Sequence, residues 1–177
     1  MMRIERCDNS EQWDEFILNH EGHPLQLWGW GQLKASHGWI AERLFYVKED
    51  VVVAAAQVLV RRLPAPFRRF AYIPRGPIVS PDDEAAFYDA LAEYVKREHK
   101  AVALSVEPEV LHGELSSGWV QAKNTILAPA TIQLDLQKTE KNYLTIWLRK
   151  PVNIFVNHQL TECRSVRCAI AMILMTV

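Results

Sequence analysis

Apolar and polar residues follow one another along this chain at two spacings, one helical and one extended. Trp13, Phe16 and Ile17 recur every three to four residues after the N-capping residues 8–10, which predicts an amphipathic helix. Residues 51–63 instead form a nearly continuous apolar run rich in Val and Ala, as in a strand buried on both faces. The patterns predict strands at 4–6, 41–48, 51–63, 70–73, 101–106 and 131–136, and helices at 10–20, 30–37, 81–100 and 138–149.

The helix predicted after residue 80 has the clearest start signal. Ser80 supplies a cap, Pro81 suits the first helical position, and the acidic residues 82–84 complement the positive end of the helix dipole. Cationic residues gather at the other end, in residues 96–100. The element order β-α-α-β-β-β-α-β-β-α predicts the α/β (α+β) class, with a mixed sheet flanked by helices.

Composition and charge narrow the function classes. A chain of 177 residues falls in the size range of a single domain. Its 20 basic and 21 acidic residues leave a net charge of −1, which excludes a global basic field for binding DNA. No apolar run approaches the ~20 residues of a membrane span, so no transmembrane segment is predicted. Cys7, Cys163 and Cys168 fit neither a disulfide framework nor a metal site, which favours free thiols in a reducing cytoplasm.

Tryptophan and glycine are concentrated between residues 26 and 39, where the sequence QLWGWGQLK is followed by Gly38 and Trp39. On a helix, Lys34 lies one turn beyond Trp30. An ammonium there can hold a phosphate while indole rings pack against a sugar or a base. Lys34, Trp30 and Trp39 are therefore candidate substrate-binding residues. The alternative is a tryptophan-rich core patch beside a solvated lysine.

Two further features could contact a ligand. Glu107 ends a predicted buried strand immediately before a proline, where ligand-facing side chains often lie, although it could equally be an exposed strand-end carboxylate. Four arginines flank the segment 63–67 and could grip phosphates or form only a solvated turn: Arg61, Arg62, Arg68 and Arg69.

The common catalytic signatures are missing from the sequence. It contains no Gly-x-Ser-x-Gly, no His-Glu-x-x-His, no paired Cys-x-x-Cys and no P-loop. The turn around Gly76 includes two prolines, which lack N–H groups, so the backbone cradle that would bind the pyrophosphate of coenzyme A is not visible either.

Five blocks of this sequence resemble the Fem-type peptidoglycan bridge-forming aminoacyltransferases (FemAB), the family that includes the methicillin-resistance factors. The opening block is the tryptophan-rich stretch from Gln26 to Lys34 with Gly38 and Trp39. The later blocks follow in the family's order: VAAAQVL at 53–59, YIPRGP at 72–77, VEPEV at 106–110 and TIQLDL at 131–136. The resemblance covers roughly residues 3–144.

The resemblance implies a fold and a reaction. Family members contain two acetyltransferase-like (GNAT-like) subdomains, and this chain would supply the N-terminal one. They transfer an amino acid from aminoacyl-tRNA to the stem peptide of a UDP-linked or lipid-linked muropeptide during interpeptide bridge formation. The implied partners are that precursor and the tRNA, with no metal and no coenzyme A as cofactor, and peripheral contact with a membrane-bound precursor is compatible with this. The family's phosphate-contacting lysine corresponds to Lys34, and its strand-end acidic position, facing the same cleft, corresponds to Glu107.

The match to the family fades at residue 144. Residues 145–177 contain no glycine and have four basic residues against one acid. We expect residues 1–144 to form the acetyltransferase-like subdomain and residues 145–177 to be an atypical tail, as a truncated or frame-shifted gene would give. The chain alone would then be inactive. Two alternatives stay open: a non-catalytic muropeptide-binding module and, less favoured, a coenzyme A-dependent N-acetyltransferase.

Overall fold

The computed structural model describes residues 2–113, 116–123, 125–128 and 171–174. The strands are β1 (Met2–Arg6), β2 (Ile40–Lys48), β3 (Val51–Arg62), β4 (Arg69–Pro74), β5 (Ile78–Val79), β6 (Ala101–Glu107), β7 (Val120–Gln121) and β8 (Ala171–Leu174). The helices are α1 (Ser10–Asn19), α2 (Trp28–Ala35) and α3 (Glu84–His99), with a turn of 3-10 helix at Pro24–Gln26.

The strands form one mixed sheet in the order β1-β2-β3-β4-β6-β8-β7, and β5 pairs with β3. Neighbouring strands are antiparallel except β4 and β6, which run parallel and are joined across α3, as a parallel pair requires. The parallel register ends with Pro74 opposite Glu107. The carboxyl ends of β4 and β6 therefore lie side by side. The predicted mixed α/β class is confirmed.

One face of the sheet packs against α3. Phe87 and Leu91 of this helix are fully buried in a cluster with Leu44, Ala56 and Ile73, which come from three successive strands of the sheet. Because side chains alternate along a strand, every second residue of these strands faces α3. This cluster is the larger of the two hydrophobic cores.

The opposite face packs against α1. Asn9 caps this helix, because its Oδ1 accepts hydrogen bonds from the backbone amides of residues 11 and 12 at 2.9 and 3.0 Å. Trp13 and Ile17 are fully buried, and the Trp13 ring stacks on Phe45 with centroids 5.1 Å apart. The predicted amphipathic helix is thus confirmed, and it covers the face of the sheet on which α2 also lies.

The start of α3 is the boundary that differs most from its prediction, and α2 begins and ends two residues earlier than predicted. Helix α3 begins at Glu84, three residues after Pro81, because the amides of Asp83 and Glu84 close tight turns onto residues 80 and 81 instead of helical hydrogen bonds. The carboxylate of Asp83 is bound by Lys48 at 2.9 Å. The short strand β5 was not predicted, since two residues bounded by turn signals give no alternation to detect.

The predicted strand 131–136, helix 138–149 and domain boundary at 144 lie outside the described residues. Residues 171–174, for which the sequence predicted no strand, pair with β6 as β8. They belong to the same compact unit as the chain up to residue 127, whereas only Ala128 of the second unit, Ala128–Arg167, is described. Within the described segments, no helix combines the length and hydropathy needed to cross a bilayer.

Candidate functional site

The tryptophan-rich segment is attached to the sheet through Gln26. The register that pairs Leu59 with Tyr72 would place Gln57 opposite Pro74, but the ladder between β3 and β4 has opened there. The Gln26 side chain fills the gap: its Oε1 accepts from the Gln57 amide at 2.7 Å, and its Nε2 donates to the Pro74 carbonyl at 2.5 Å. Gln26 is fully buried, so these bonds satisfy groups that water cannot reach.

A second buried polar group supports the start of α2. Arg43 is only 8% exposed, and it donates from Nε to Gln57 Oε1 and from Nη2 to the Trp28 carbonyl, both at 3.0 Å. Its guanidinium also lies 3.8 Å from the centroid of the Trp28 ring. Burial lowers the pKa of Arg43. A Cβ at Gly31 would collide with the Gln57 and Arg43 side chains, which explains the glycine on this face of α2.

Lys34 and Trp30 form a pair on α2, as their spacing predicts. The Lys34 Nζ lies 4.7 Å from the centroid of the Trp30 ring, within the range of a cation–π interaction. Both side chains are half-buried, and Lys34 has no acidic partner among the described residues. The Trp30 Nε1 is buried and has no hydrogen-bond partner among the residues that the structure describes. The ammonium is therefore oriented by the indole, and no acidic side chain of the described residues occupies its hydrogen-bond donors.

Trp39 lies just beyond the end of α2. Gly38 adopts a positive φ of 81°, and the Trp39 amide then donates to the Lys34 carbonyl at 3.2 Å. The half-buried Trp39 ring is contacted by the Arg61 guanidinium, 5.4 Å from the ring centroid. The structure thus brings a second cation–aromatic pair to the carboxyl end of the helix that carries Lys34.

Glu107 occupies a different environment from these three residues. It is 4% exposed, and its Oε2 accepts a hydrogen bond of 2.5 Å from the Tyr72 hydroxyl. Its Oε1 accepts from the Ile126 amide at 2.5 Å, and the Leu127 amide is 3.1 to 3.2 Å from the two oxygens. Burial and the neighbouring carboxylate raise the pKa of Tyr72 above its ordinary value, so the phenol remains a donor. Glu107 is therefore neither an exposed carboxylate nor in contact with Lys34.

Sequence reasoning missed Gln57, Arg43 and Tyr72 as parts of this arrangement. A signal for Gln57 existed, because one amide side chain inside the apolar run of β3 must find partners once it is buried. Tyr72 had no such signal: it neighbours Glu107 because β4 and β6 are parallel, and the register of that pair is a tertiary property.

In the described part of the chain, no group of three or more His, Cys, Asp or Glu side chains is arranged to hold a metal ion. What the described arrangement offers is a partly buried ammonium beside the Trp30 ring and, just beyond the end of the same helix, the Trp39 ring beside Arg61. Chemically, such a surface is suited to a phosphate joined to a sugar or base.

Comparisons with known proteins point to one family. A family model described as "FemAB family" matches residues 9–128. The Lipid II:glycine glycyltransferase of Staphylococcus saprophyticus is 31% identical over 100 residues, which are 55% of this chain and 24% of that protein. The enzyme of the same name from Staphylococcus aureus is 30% identical over 104 residues, or 57% of this chain and 25% of that protein. The chain thus matches about a quarter of the length of these relatives.

A solved structure agrees with the sequence comparisons. The structure described as the crystal structure of FemX superposes with a TM-score of 0.53 at 27% sequence identity. The superposition covers 61% of this chain and 27% of that one.

Proposed function

The chain belongs to the FemAB family, and on that premise we propose that it is the acceptor-binding, N-terminal portion of an aminoacyltransferase that builds peptidoglycan interpeptide bridges. The relatives it matches are named for transfer of glycine to lipid II, which favours a lipid-linked acceptor. The observation that carries the proposal is Lys34, which is held beside Trp30 with no acidic partner among the described residues.

In this proposal Lys34 binds a phosphate of the precursor as a point charge. Trp30 limits the positions open to the ammonium, and Trp39 offers a flat apolar surface for the part of the ligand next to the phosphate. The Gln26 bridge and the buried Arg43 hold α2 against the sheet, so the lysine is positioned before the ligand arrives. Such preorganisation lowers the entropy that binding costs.

The proposed donor is an aminoacyl-tRNA. The neutral amine of the stem peptide attacks the ester carbonyl, a C–N bond forms, the ester C–O bond breaks, and the terminal hydroxyl of the tRNA leaves with the proton that the amine loses. Most of the rate in such a step comes from positioning and from stabilising the oxyanion. Glu107 has both oxygens engaged by Tyr72 and backbone amides, so we assign it to anchoring the segment around residue 126 rather than to proton transfer.

That assignment favours a second candidate, a muropeptide-binding module without its own activity. In this alternative the described residues supply a binding surface, and none of them is assigned to aligning the two substrates. Transfer from charged tRNA by the 177-residue chain distinguishes the two: measurable transfer supports the enzyme, and binding of the precursor without transfer supports the module.

An acetyltransferase-like fold is part of the proposal, since α3 joins the parallel strands β4 and β6, but a coenzyme A-dependent reaction is disfavoured. The N-terminus of α3 carries Asp83 and the buried Glu84, whose charges oppose a pyrophosphate at that position. Glu84 already accepts from the amides of His112 and Gly113 at 3.0 and 2.9 Å.

Calorimetric titration tests the proposal. The wild-type chain should bind a UDP-muropeptide and not acetyl-CoA, and Lys34→Ala should weaken muropeptide binding by ~1–3 kcal/mol, the range for hydrogen bonds to charged groups. Lys123 is exposed in the loop after β7 and serves as the matched control, since Lys123→Ala removes the same charge elsewhere. Equal affinities for the two variants would remove Lys34 from the site, and preferential binding of acetyl-CoA would overturn the proposed substrate class.

A further inference from the structure

The hairpin loop between β3 and β4, residues 63–68, has an apolar tip and a cationic base. Phe67 is 59% exposed, and the residues before it in the loop are leucine, proline, alanine and proline, of which all but the half-buried leucine are exposed. The loop closes on itself through the Leu63 amide, which donates to the Arg68 carbonyl at 3.1 Å. A run of contiguous exposed apolar residues, unlike a single exposed side chain, is typical of an interaction surface.

Cations surround the base of this loop. They comprise the arginines on both sides of it and the lysine that ends α3: Arg61, Arg62, Arg68, Arg69 and Lys100. None of them forms an ion pair with an acidic side chain of the described residues. The one acid lining the same depression, Glu98, is bound by Arg97 at 2.9 Å. The depression between the loop and the end of α3 has a volume of about 770 Å³.

We propose that this hairpin loop is a membrane-docking element that inserts its tip into the headgroup region of an anionic bilayer. Phe67 would reach the acyl boundary while the arginines stay at the level of the lipid phosphates, as in other interfacial anchors. Pro64 and Pro66 strengthen this assignment, because they carry no N–H group and so remove two donors whose loss of water would oppose insertion.

The geometry favours a bilayer over an RNA strand. An RNA-binding loop would project its cations toward the phosphates, with aromatic rings between them to stack on bases. Here the exposed apolar residues form the turn itself, and the arginines lie on both sides of it along the chain. A surface arranged in this way fits a bilayer, whose apolar interior lies beneath a layer of negative charge.

Membrane docking of the hairpin loop does not require Lys34, but it would assist the proposed transfer to a lipid-linked acceptor. Arg61, at the base of the loop, contacts Trp39 at the end of the helix that carries Lys34. A hairpin seated in the bilayer would keep this helix close to the membrane, where a lipid-linked acceptor lies.

Vesicle flotation with the 177-residue chain tests the proposal. The wild-type chain should bind vesicles of equal parts phosphatidylglycerol and phosphatidylcholine, should not bind vesicles of phosphatidylcholine alone, and should bind less as salt is raised. Each unit of charge near the membrane surface changes the affinity for vesicles by about fivefold. Arg62→Glu changes the charge by two units and should therefore weaken binding by roughly 25-fold. Phe67→Ser should weaken it by roughly tenfold, because the anchor loses its apolar group.

Two exposed residues away from the loop give matched controls. Lys123→Glu repeats the charge reversal, and Leu18→Ser removes an apolar side chain that is 64% exposed on α1. Both variants should bind vesicles within about twofold of the wild type. Their substitutions lie away from the docking loop, where salt screens the interaction of a charge with the membrane. Thermal unfolding of all four variants verifies that they fold.

Several outcomes would overturn the proposal. These are absence of vesicle binding by the wild-type chain, equal loss in the loop variants and their controls, and undiminished binding by both loop variants. Binding of an RNA hairpin that Arg62→Glu abolishes, without any vesicle binding, would instead identify the loop as a nucleic-acid contact.

Discussion

The hydroxyl of Tyr72 donates a hydrogen bond of 2.5 Å to the carboxylate of Glu107, across the parallel pair of strands at the centre of the sheet. Both side chains are buried, at 6% and 4% exposure. The bond links the ends of β4 and β6 to the segment around residue 126, whose amides bind the same carboxylate. The acidic residue that the sequence marked as a site candidate therefore holds the fold together at this edge.

Tyr72→Phe should lower the free energy of unfolding by about 2 kcal/mol, because it leaves a buried carboxylate without one of its donors. Tyr88 supplies a matched control: it is 1% exposed, and its hydroxyl has no hydrogen-bond partner among the described residues. Tyr88→Phe should not destabilise the chain, because it removes a buried hydroxyl that has no hydrogen bond to lose. Urea unfolding followed by tryptophan fluorescence measures both. Equal losses in the two variants would contradict the role assigned to the Tyr72 hydroxyl.

Gln26→Leu should destabilise the chain by about 3 kcal/mol. Leucine fills a similar volume but leaves the Gln57 amide and the Pro74 carbonyl buried without partners, and each such group costs ~1–3 kcal/mol. Gln32→Leu, on the exposed side of α2, makes the same chemical change and should be nearly neutral.

The same Gln26 variant should also weaken muropeptide binding if the bridge positions α2, and Gln32→Leu should not. Urea titration of the two purified variants gives the free energy of unfolding, and calorimetry gives their affinity for the muropeptide. A Gln26→Leu chain as stable as Gln32→Leu would show that the two strands close their ladder without the glutamine.

Glu42 should make the stability of the fold sensitive to acid. Burial alone would raise the pKa of Glu42, but His99, whose Nε2 lies 2.8 Å away, and Arg6, at 3.1 Å, lower it by more, to below its ordinary value of 4.5. Ionised Glu42 therefore stabilises the fold fully above about pH 4.5, and this contribution disappears as the pH falls through the lower pKa of the folded state.

We expect the stability difference between wild type and Glu42→Gln to be largest near neutral pH and to shrink steadily below pH ~4.5. Urea unfolding at a series of pH values measures it. The exposed Glu15, which makes no ion pair with any described residue, gives the control, since Glu15→Gln should stay close to wild type throughout. A Glu42→Gln difference that is constant across the series would rule out this linkage.

The local elements were largely predictable because each depends on residues near one another in sequence. The capping group before α1, the apolar face of α3 and the buried run of β3 were all visible as patterns, and the structure confirms them. The exceptions have local causes as well. Helix α3 begins late because tight turns occupy its predicted first residues, and the two-residue β5 is too short to produce a pattern.

The candidate site also contains features that local spacing predicts and features that depend on the strand register. The pairing of Lys34 with Trp30 follows from helical spacing alone, and the family resemblance implies that this lysine contacts a phosphate. The bridge made by Gln26 depends on where the register between β3 and β4 opens, and the burial of Glu107 depends on which strand lies parallel to β6. Neither can be predicted from spacing along the chain.

The mixed α/β class, the helix that presents Lys34 and the membership of the family could all be inferred from residues close together in the chain, because these features depend on periodicity, capping and local motifs. Three contacts became visible only in the folded chain: the buried hydrogen bond of Glu107 to Tyr72, the bridge of Gln26 between two strands, and the contact of Trp39 with Arg61. Each of these contacts joins residues 22 or more positions apart. Such contacts form only when strand order and register are set by the packing of the whole sheet.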